Sequence, residues 1–363
     1  MHVAIVGAGA IGCSLAAELS ARGRRVTLVG RGEQVAAISR DGLLLHDRQG
    51  RARRYHPHAV EALAERPDLV LLTVKTQDVA GACQDIAPYV TRVPVVAMQN
   101  GVQGDHIAAA ILGRETIVGA VVMRAATYLR PGEVSVEFPG WLIVGEPFGP
   151  ATRRTRAIVS LLNRCVPTYL TDRLAAVRWS KLLSNLNNGL SAATGLTLTE
   201  IVGTLEGHAL PVWVMQEGYR TMRAAGVELD HGLYGLTPRA LRRDPNAALI
   251  ALLQAGMTTM LATLPERAAV AVLGAASRSR LNRLPIRGST WQSLARGRPS
   301  EIDYLNGEIV RLGEQLNLPT PFNRHPVELV RQVEATHTFY PIEALLPPDP
   351  ARETTAPAIG AAR

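Results

Sequence analysis

Residues 2–12 of the chain read HVAIVGAGAIG, and this stretch determines how the rest is interpreted. Its first five residues form a run typical of a buried strand, and a G-x-G-x-x-G pattern follows at once and opens a helix. In that context Gly7 permits a tight turn, Gly9 lets the backbone approach a pyrophosphate, and Gly12 allows close packing of helix on strand. The stretch therefore predicts a dinucleotide-binding turn, with an ordinary glycine-rich turn as the alternative.

Strands alternate with helices along the first part of the chain. Further apolar strands are predicted over 25–29, 68–74 and 93–98, and shorter β-like stretches between 117 and 146 extend the far edge of the sheet. Alternation of this kind is typical of a parallel, doubly wound sheet. We therefore predict an α/β fold that begins with a Rossmann-type domain.

The pattern changes to helical periods near residue 171. We predict a dinucleotide-binding domain over 1–170, an all-α substrate and catalytic domain over 171–340, and a disordered tail over 341–363 that is rich in Pro, Ala and Thr. The predicted helices of the second domain cover 172–194, 207–225, 247–264, 301–316 and 326–335.

Composition narrows the class of protein. Hydrophobic residues make up 47% and charged residues 19% of the chain, as in globular proteins, and no apolar run is long enough for a bilayer. The three cysteines are widely spaced and the N-terminus reads as a strand, so we expect a cytoplasmic protein without disulfides or a metal. The net charge of +8 comes from scattered arginines, which favours a small anionic partner over nucleic acid. Packing of two helical domains against each other would give a homodimer.

Lysine is rare in this chain. Lys and Arg total 39 residues, but only Lys75 and Lys181 are lysines. Arginine cannot replace lysine where a compact ammonium must fit or a proton must be released. Both lysines are therefore candidates for functional positions, and survival by chance is the alternative.

The tip of the second strand indicates the cofactor. Residues 29–32 read VGRG, without the acid that grips the ribose hydroxyls of NAD. Arg31 can instead bind a 2′-phosphate with its bidentate fork, which favours NADPH over NADH. Glu33 lies just beyond and leaves the alternative open.

Polar residues form a stripe on the first helix of the second domain. Lys181, Asn185 and Asn188 occupy positions i, i+4 and i+7 of an otherwise apolar segment. A substrate carboxylate and hydroxyl would satisfy them, and a solvated helix face is the alternative. Ser300 can cap a later helix with Glu301 in its first turn, where complementing the helix dipole explains the acid equally well.

Taken together, these residues resemble the ketopantoate reductase (2-dehydropantoate 2-reductase) family, within the 6-phosphogluconate-dehydrogenase-like group. The resemblance extends from the start to about residue 335. Its carriers are the N-terminal glycine motif, Val74-Lys75, Gln99-Asn100-Gly101, Trp179 with Lys181 and Asn185, Ser289, Glu301-Ile302-Asp303, and Asn306-Gly307.

The resemblance implies transfer of a hydride from NADPH to the carbonyl carbon of a 2-keto acid. Lys181 then protonates the developing alkoxide, aided by desolvation, and Glu301 orients the lysine. The cofactor positions it implies are Gly7, Ala8, Gly9, Ala10, Ile11, Gly12, Arg31, Lys75, Asn100, Ala125 and Glu301. The substrate positions it implies are Asn100, Lys181, Asn185 and Ser289, and the polar stripe adds Asn188.

Two departures from the family pattern leave the substrate open. The family has a second Asn at the position of Gly189, so that either Asn188 serves instead or the contact is lost, and the segment from 188 to 289 is longer than usual. Ketopantoate is the default substrate, and a paralogous reductase of another 2-oxo acid or ketone is the first alternative. A non-catalytic dinucleotide-binding regulator and a basic nucleic-acid binder are the alternatives from other classes.

Overall fold

The computed structural model describes residues 1–230, 256–278 and 288–348. These residues divide into two compact units. The first unit contains 1–184, 227–230 and 256–257, and the second contains 185–226, 258–278 and 288–348. The division falls at Ser184, later than the predicted boundary near residue 170, because the first helix beyond that boundary is anchored on the sheet of the first unit.

One mixed, mostly parallel sheet forms the centre of the first unit. Its strands run in the order β4-β3-β9-β8-β7-β6-β1-β2-β5, with β10 beside β9. The six neighbouring strands β8, β7, β6, β1, β2 and β5 are mutually parallel. Strands β8 and β9 form a long antiparallel hairpin. The strands are β1 (His2–Val6), β2 (Arg25–Val29), β3 (Leu43–His46), β4 (Ala52–Tyr55), β5 (His58–Val60), β6 (Leu69–Leu72), β7 (Val95–Ala97), β8 (Ile117–Arg130), β9 (Glu133–Gly145) and β10 (Thr168–Leu170).

Helices cover both faces of this sheet. They are α1 (Ala10–Ser20), α2 (Gly32–Asp41), α3 (Val79–Ile86), α4 (Gly104–Leu112), α5 (Arg153–Leu162) and α6 (Leu174–Asn185). Alternate residues of β1 enter different cores: Val3 and Ile5 pack with α1 and α5, and Ala4 and Val6 pack with α3 and α4. This two-sided burial explains why the central strands are apolar throughout, and it confirms the predicted α/β class.

Four strands of the sheet, β3, β4, β5 and β10, were absent from the sequence prediction. β3, β4 and β5 lie between α2 and β6, and β4 carries the exposed Arg53 and Arg54. β4 is an edge strand with polar side chains, so that neither an apolar run nor alternation marks it. The hairpin of β8 and β9 is longer than predicted and contains register shifts between Met123 and Ala126.

The described part of the second unit is helical, which confirms the predicted helical C-terminal region. Its helices are α7 (Asn188–Thr194), α8 (Leu198–Val202), α9 (Leu210–Ala224), α10 (Glu266–Arg278), α11 (Ser289–Leu294), α12 (Asn306–Leu316) and α13 (Pro321–Thr336). Residues 256–263 are also helical. The predicted helix over 247–264 lies partly outside the described residues.

Three predicted helices have different boundaries in the structure. Helix α13, predicted over 326–335, begins five residues earlier at Pro321. The segment 172–194 is broken after α6 and resumes at Asn188. The predicted helix from Glu301 starts at Asn306, because Leu305 has φ −112° and ψ −96°, outside the helical region. Before it, Ile302–Tyr304 forms a 3₁₀ turn, and Ser300 Oγ accepts the Ile302 N–H at 3.2 Å.

The predicted tail over 341–363 is partly structured. Ile342–Leu345 forms a 3₁₀ turn with Ile342 and Leu345 buried, and 349–363 lies outside the described residues. All three cysteines are free and buried, and burial raises the pKa of the Cys13 thiol to about 12. In the part of the chain that the structure describes, no helix has the length and apolarity to cross a bilayer, and no cluster of His, Cys, Asp and Glu is arranged to hold a metal.

Candidate active site

Two of the three glycines in the first turn leave no room for a side chain, and the other borders open space. A Cβ on Gly7, which has φ +118°, would lie 2.6 Å from the backbone nitrogen of Val74. A Cβ on Gly12 would lie 1.9 Å from the Gly7 carbonyl oxygen, whereas one on Gly9 would meet nothing within 4 Å. Gly7 therefore lets the turn lie against the end of β6, Gly12 lets α1 pack against the turn, and Gly9 borders free space where a pyrophosphate can approach the backbone.

Neighbouring strands hold this turn in place. Gly7 N donates to Val29 O at 2.9 Å, and Thr73 Oγ1 donates to Gly7 O at 2.8 Å. Gly9 is the N-cap of α1, has extended backbone, and makes no side-chain cap bond. The first turn of α1 thus has no side-chain cap and begins beside the open space at Gly9, which fits an anionic group of a dinucleotide. Thr73 was not among the residues predicted from the sequence.

Arg31 lies at the tip of β2, as the sequence predicts. It is exposed and is the N-cap residue of α2. A Cβ on Gly30 would lie 2.5 Å from the Ala8 Cβ, so the two loops approach closely. The next amide, Gly32 N, donates to Glu61 Oε1 at 3.0 Å, and Glu61 is a second residue that the sequence analysis missed.

Lys75 and Asn100 follow the adjacent parallel strands β6 and β7. Both are half-buried. The Gln99 amide joins the two strand ends, because Gln99 Nε2 donates to Leu72 O and to Val74 O at 2.9 Å each. Ala125, also half-buried, lies on β8 opposite Phe138 at a register shift.

Lys181 on α6 is bonded to the carboxyl edge of the sheet. Its ammonium donates to Asn100 Oδ1 at 2.7 Å and to the Val122 carbonyl at 2.6 Å. The structure therefore brings together two predicted site residues that are 81 positions apart in the chain. Because an ammonium carries only donors, the two acceptors fix the charged group beside the end of β7.

Arg178 anchors the same helix one turn earlier. Its guanidinium is buried and donates to Gln99 O at 2.9 Å, Ala97 O at 3.0 Å and Asp105 Oδ1 at 2.7 Å. Burial raises the pKa of the Asp105 carboxyl, and Arg178 opposes that effect. The pair holds the backbone that leads into Asn100, and sequence reasoning found neither Arg178 nor Asp105.

Asn188 does not continue the helix of Lys181, contrary to the predicted stripe. α6 ends at Asn185, and Asn188 is the first residue of α7. Within the second unit, the half-buried Asn188 side chain lies against Gly288, where an added Cβ would come within 2.6 Å of Asn188 Oδ1. Ser289, the next residue, is exposed. The structure thus places Asn188 beside the start of α11.

A buried polar network fixes the chain just before α7. Asn306 Nδ2 donates to Leu186 O at 2.9 Å and to Asn323 Oδ1 at 3.0 Å, and Asn323 Nδ2 donates to Glu217 Oε1 at 2.8 Å. Burial raises the pKa of Glu217. A Cβ on Gly189 would lie 2.9 Å from Asn306 Oδ1. Position 189 therefore has no room for the Asn of the family pattern unless Asn306 moves.

Glu301 is buried in the second unit, with 6% of its surface exposed. It precedes the 3₁₀ turn and so does not belong to the first turn of α12. In the sequence, a helix-dipole role and a functional role explain this acid equally well. Glu301 lies two residues before Asp303 and five before Asn306, where α12 begins. It is therefore outside the first turn of that helix, where an acid would complement the helix dipole.

A dinucleotide turn on a doubly wound sheet, with a lysine bonded to an Asn at the carboxyl edge, defines the class of the protein as a Rossmann-type oxidoreductase. The chain belongs to the ketopantoate reductase family. Residues 3–148 match the family described as ketopantoate reductase PanE/ApbA, and residues 173–334 match its C-terminal domain. The family uses a nicotinamide dinucleotide.

Curated and solved relatives agree with this assignment. The chain is 28% identical to 2-dehydropantoate 2-reductase of Mesorhizobium japonicum, over 94% of this chain and 100% of that protein. The crystal structure of a PanE/ApbA family ketopantoate reductase from Ralstonia eutropha JMP134 matches with 30% identity and a TM-score of 0.72, over 92% of this chain and 99% of that one. A D-mandelate dehydrogenase solved with NADH and anilino(oxo)acetate shares the fold at 22% identity, with a TM-score of 0.73 over 93% of this chain and 99% of that one.

Replacing Arg178 by Met should lower the free energy of unfolding by about 3–5 kcal/mol, because Asp105 would stay buried without its partner. Chemical denaturation measures this loss. Replacing both residues, Arg178→Met with Asp105→Leu, should recover part of it. Arg173→Met is the matched control, since Arg173 is exposed and its pair with Glu228 is 3.5 Å long. Equal stability of the Arg178 and Arg173 variants would contradict the anchoring role.

Proposed function

We propose that this protein reduces a 2-keto acid to the 2-hydroxy acid with NADPH, and that its substrate is 2-dehydropantoate. The observation that carries the proposal is the position of Lys181, bonded to Asn100 and to the Val122 carbonyl at the carboxyl edge of the sheet. In a doubly wound fold that edge is where ligands bind. The same edge carries the glycine turn and Lys75.

Lys181 is the proton donor in the proposed reaction. When bound, the nicotinamide supplies the hydride. Lys181 protonates the oxygen of the carbonyl as it becomes an alkoxide, and its ammonium stabilises the developing negative charge. Asn100 and the Val122 carbonyl hold the ammonium at one point, so the proton is presented from a fixed position. Arg178 keeps the Asn100 backbone in place.

The cofactor assignment rests on residues of the first unit. Gly7, Gly9 and Gly12 with the N-terminus of α1 receive the pyrophosphate, and Arg31 binds the 2′-phosphate that distinguishes NADPH from NADH. Ala8, Ala10 and Ile11 line the same turn. The proposed cofactor roles of Lys75, Ala125 and Glu301 rest on the sequence resemblance.

The proposed substrate groups of the second unit are Asn185, Asn188 and Ser289. For Asn188 the structure adds support, because its side chain lies beside the start of α11, where Ser289 begins the helix. Asn188 thus takes the role that the family gives to an Asn at position 189, where Asn306 leaves no room.

A reductase of a different 2-oxo acid is the second candidate. The observation that favours it is the same substitution at position 189, since moving a substrate amide by one residue within α7 alters the shape that a substrate must match. The D-mandelate dehydrogenase of the same fold was solved with anilino(oxo)acetate, a bulkier 2-oxo acid analogue.

The direct test is NADPH oxidation by the full-length protein with ketopantoate, beside a panel of linear, branched and aromatic 2-oxo acids. Ketopantoate should give the highest kcat/KM. A preference for an aromatic or larger acid would support the second candidate. Absence of turnover with every acid would contradict reductase activity.

Lys181→Ala should lower kcat by about 100- to 10,000-fold, because the alkoxide loses its proton donor. Lys181→Arg should lower kcat almost as far, since a guanidinium keeps the charge but does not release a proton. Steady-state kinetics measure both, and calorimetric titration with NADPH serves as the control, which should show affinity close to wild type. Wild-type turnover by the Arg variant would be incompatible with the proposed role.

Arg31→Asp should reduce the NADPH/NADH ratio of kcat/KM by about 10- to 100-fold, through loss of a charge-assisted bond to the 2′-phosphate. Arg40→Asp makes the same charge change at the other end of α2 and should leave the ratio near wild type. An unaltered ratio in the Arg31 variant would remove the phosphate assignment.

A further inference from the structure

The strand beside the tip of β2 ends in an acid. β5 runs parallel to β2 with Val60 opposite Val29, and Gly30 N donates to Val60 O at 2.9 Å. Glu61 follows Val60 directly. The register therefore places Glu61 level with the loop that contains Arg31.

The Glu61 carboxylate is bonded to this loop. Glu61 Oε1 accepts the N–H of Gly32 at 3.0 Å. Gly32 has φ +50° and is the first residue of α2, so the carboxylate lies at the N-terminal end of a ten-residue helix. It occupies an amide of the kind that binds phosphate at helix N-termini.

Two opposite charges thus flank the same turn. Arg31 and Glu61 are both exposed, and among the ion pairs of the described residues neither takes part in one. A guanidinium attracts a 2′-phosphate, whereas a carboxylate repels it and accepts a hydrogen bond from a free 2′-hydroxyl. In this fold such an acid ordinarily ends β2 itself, where this chain has glycine and arginine.

We propose that Glu61 is a cofactor-selectivity residue that replaces the missing acid of β2 from the neighbouring strand. It weakens binding of the 2′-phosphorylated dinucleotide and supports binding of the unphosphorylated one, so that the protein uses both NADPH and NADH. The inference rests on the proposed function, in which Arg31 marks the 2′-phosphate end of the cofactor site.

The test is equilibrium binding of NADP⁺ and NAD⁺ to the full-length protein by isothermal titration calorimetry, without substrate. Glu61→Gln removes the charge but keeps an amide oxygen that can accept the Gly32 N–H, so the start of α2 is preserved. This variant should bind NADP⁺ about tenfold more tightly and NAD⁺ no more tightly than wild type. Glu61→Asp, which keeps the charge, should retain a ratio close to wild type.

Glu65→Gln is the matched control. It removes one carboxylate from the same segment, but Glu65 pairs with Arg25 at the first residue of β2, the opposite end of the strand. A Kd ratio for NADP⁺ and NAD⁺ that is unchanged in Glu61→Gln, or that shifts equally in Glu65→Gln, overturns the inference. A purely structural role for Glu61 predicts a lower melting temperature with equal effects on both dinucleotides, and this result also overturns it.

The Arg31 variant separates this inference from the proposed function. A ratio that shifts toward NADP⁺ in Glu61→Gln and toward NAD⁺ in Arg31→Asp supports both. A shift in Glu61→Gln with no change in Arg31→Asp supports the role of Glu61 and overturns the assignment of the 2′-phosphate to Arg31. A shift in Arg31→Asp alone leaves the proposed function standing and overturns the role of Glu61.

Discussion

The buried guanidinium of Arg178 is the interaction on which the arrangement of the site depends. A charge removed from water is stable only when its donors meet acceptors, and here Asp105 Oδ1 and the carbonyls of Ala97 and Gln99 supply them. These acceptors belong to the end of β7 and to α4, so α6 can dock only in one register. Lys181, one turn further on, is thereby brought to Asn100. The same anchoring explains why the first compact unit extends to Ser184.

Local patterns were sufficient to predict the glycine turn and the parallel strands around it. Gly7, Gly9 and Gly12 act through the backbone geometry of residues 7–12, and the apolar strands around them follow from burial on both faces. Contacts across long separations were not predictable in this way. Arg178 and Asp105 are 73 positions apart, and two further acceptors of Arg178 and one of Lys181 are backbone carbonyls, which carry no signature in the sequence.

Helical periodicity failed where a tertiary network replaces the helical hydrogen bonds. The segment 172–194 has the apolar pattern of one helix, but the Leu186 carbonyl accepts from Asn306, and Asn306 is held in turn by Asn323 and Glu217. The donor to the Leu186 carbonyl and the groups that hold it come from three distant helices, α12, α13 and α9, so periodicity alone does not reveal the break. The break moves Asn188 off the face of Lys181, and the amide of Asn306 excludes a side chain from position 189. One network therefore accounts both for the failed helix prediction and for the departure from the family pattern.

The two cations of α6 show why lysine survives in a chain that otherwise uses arginine. At position 178 three acceptors lie around a planar group, which matches the fixed fork of a guanidinium. At position 181 an amide oxygen and a carbonyl oxygen, at 2.7 and 2.6 Å, converge on a single nitrogen. A guanidinium is broader and places its charge across several nitrogens, so it would displace either Asn100 or the β8 backbone, and it would remain protonated. The geometry of the acceptors, rather than the charge, therefore distinguishes the two positions, and it supports the proposal that proton transfer takes place at the second.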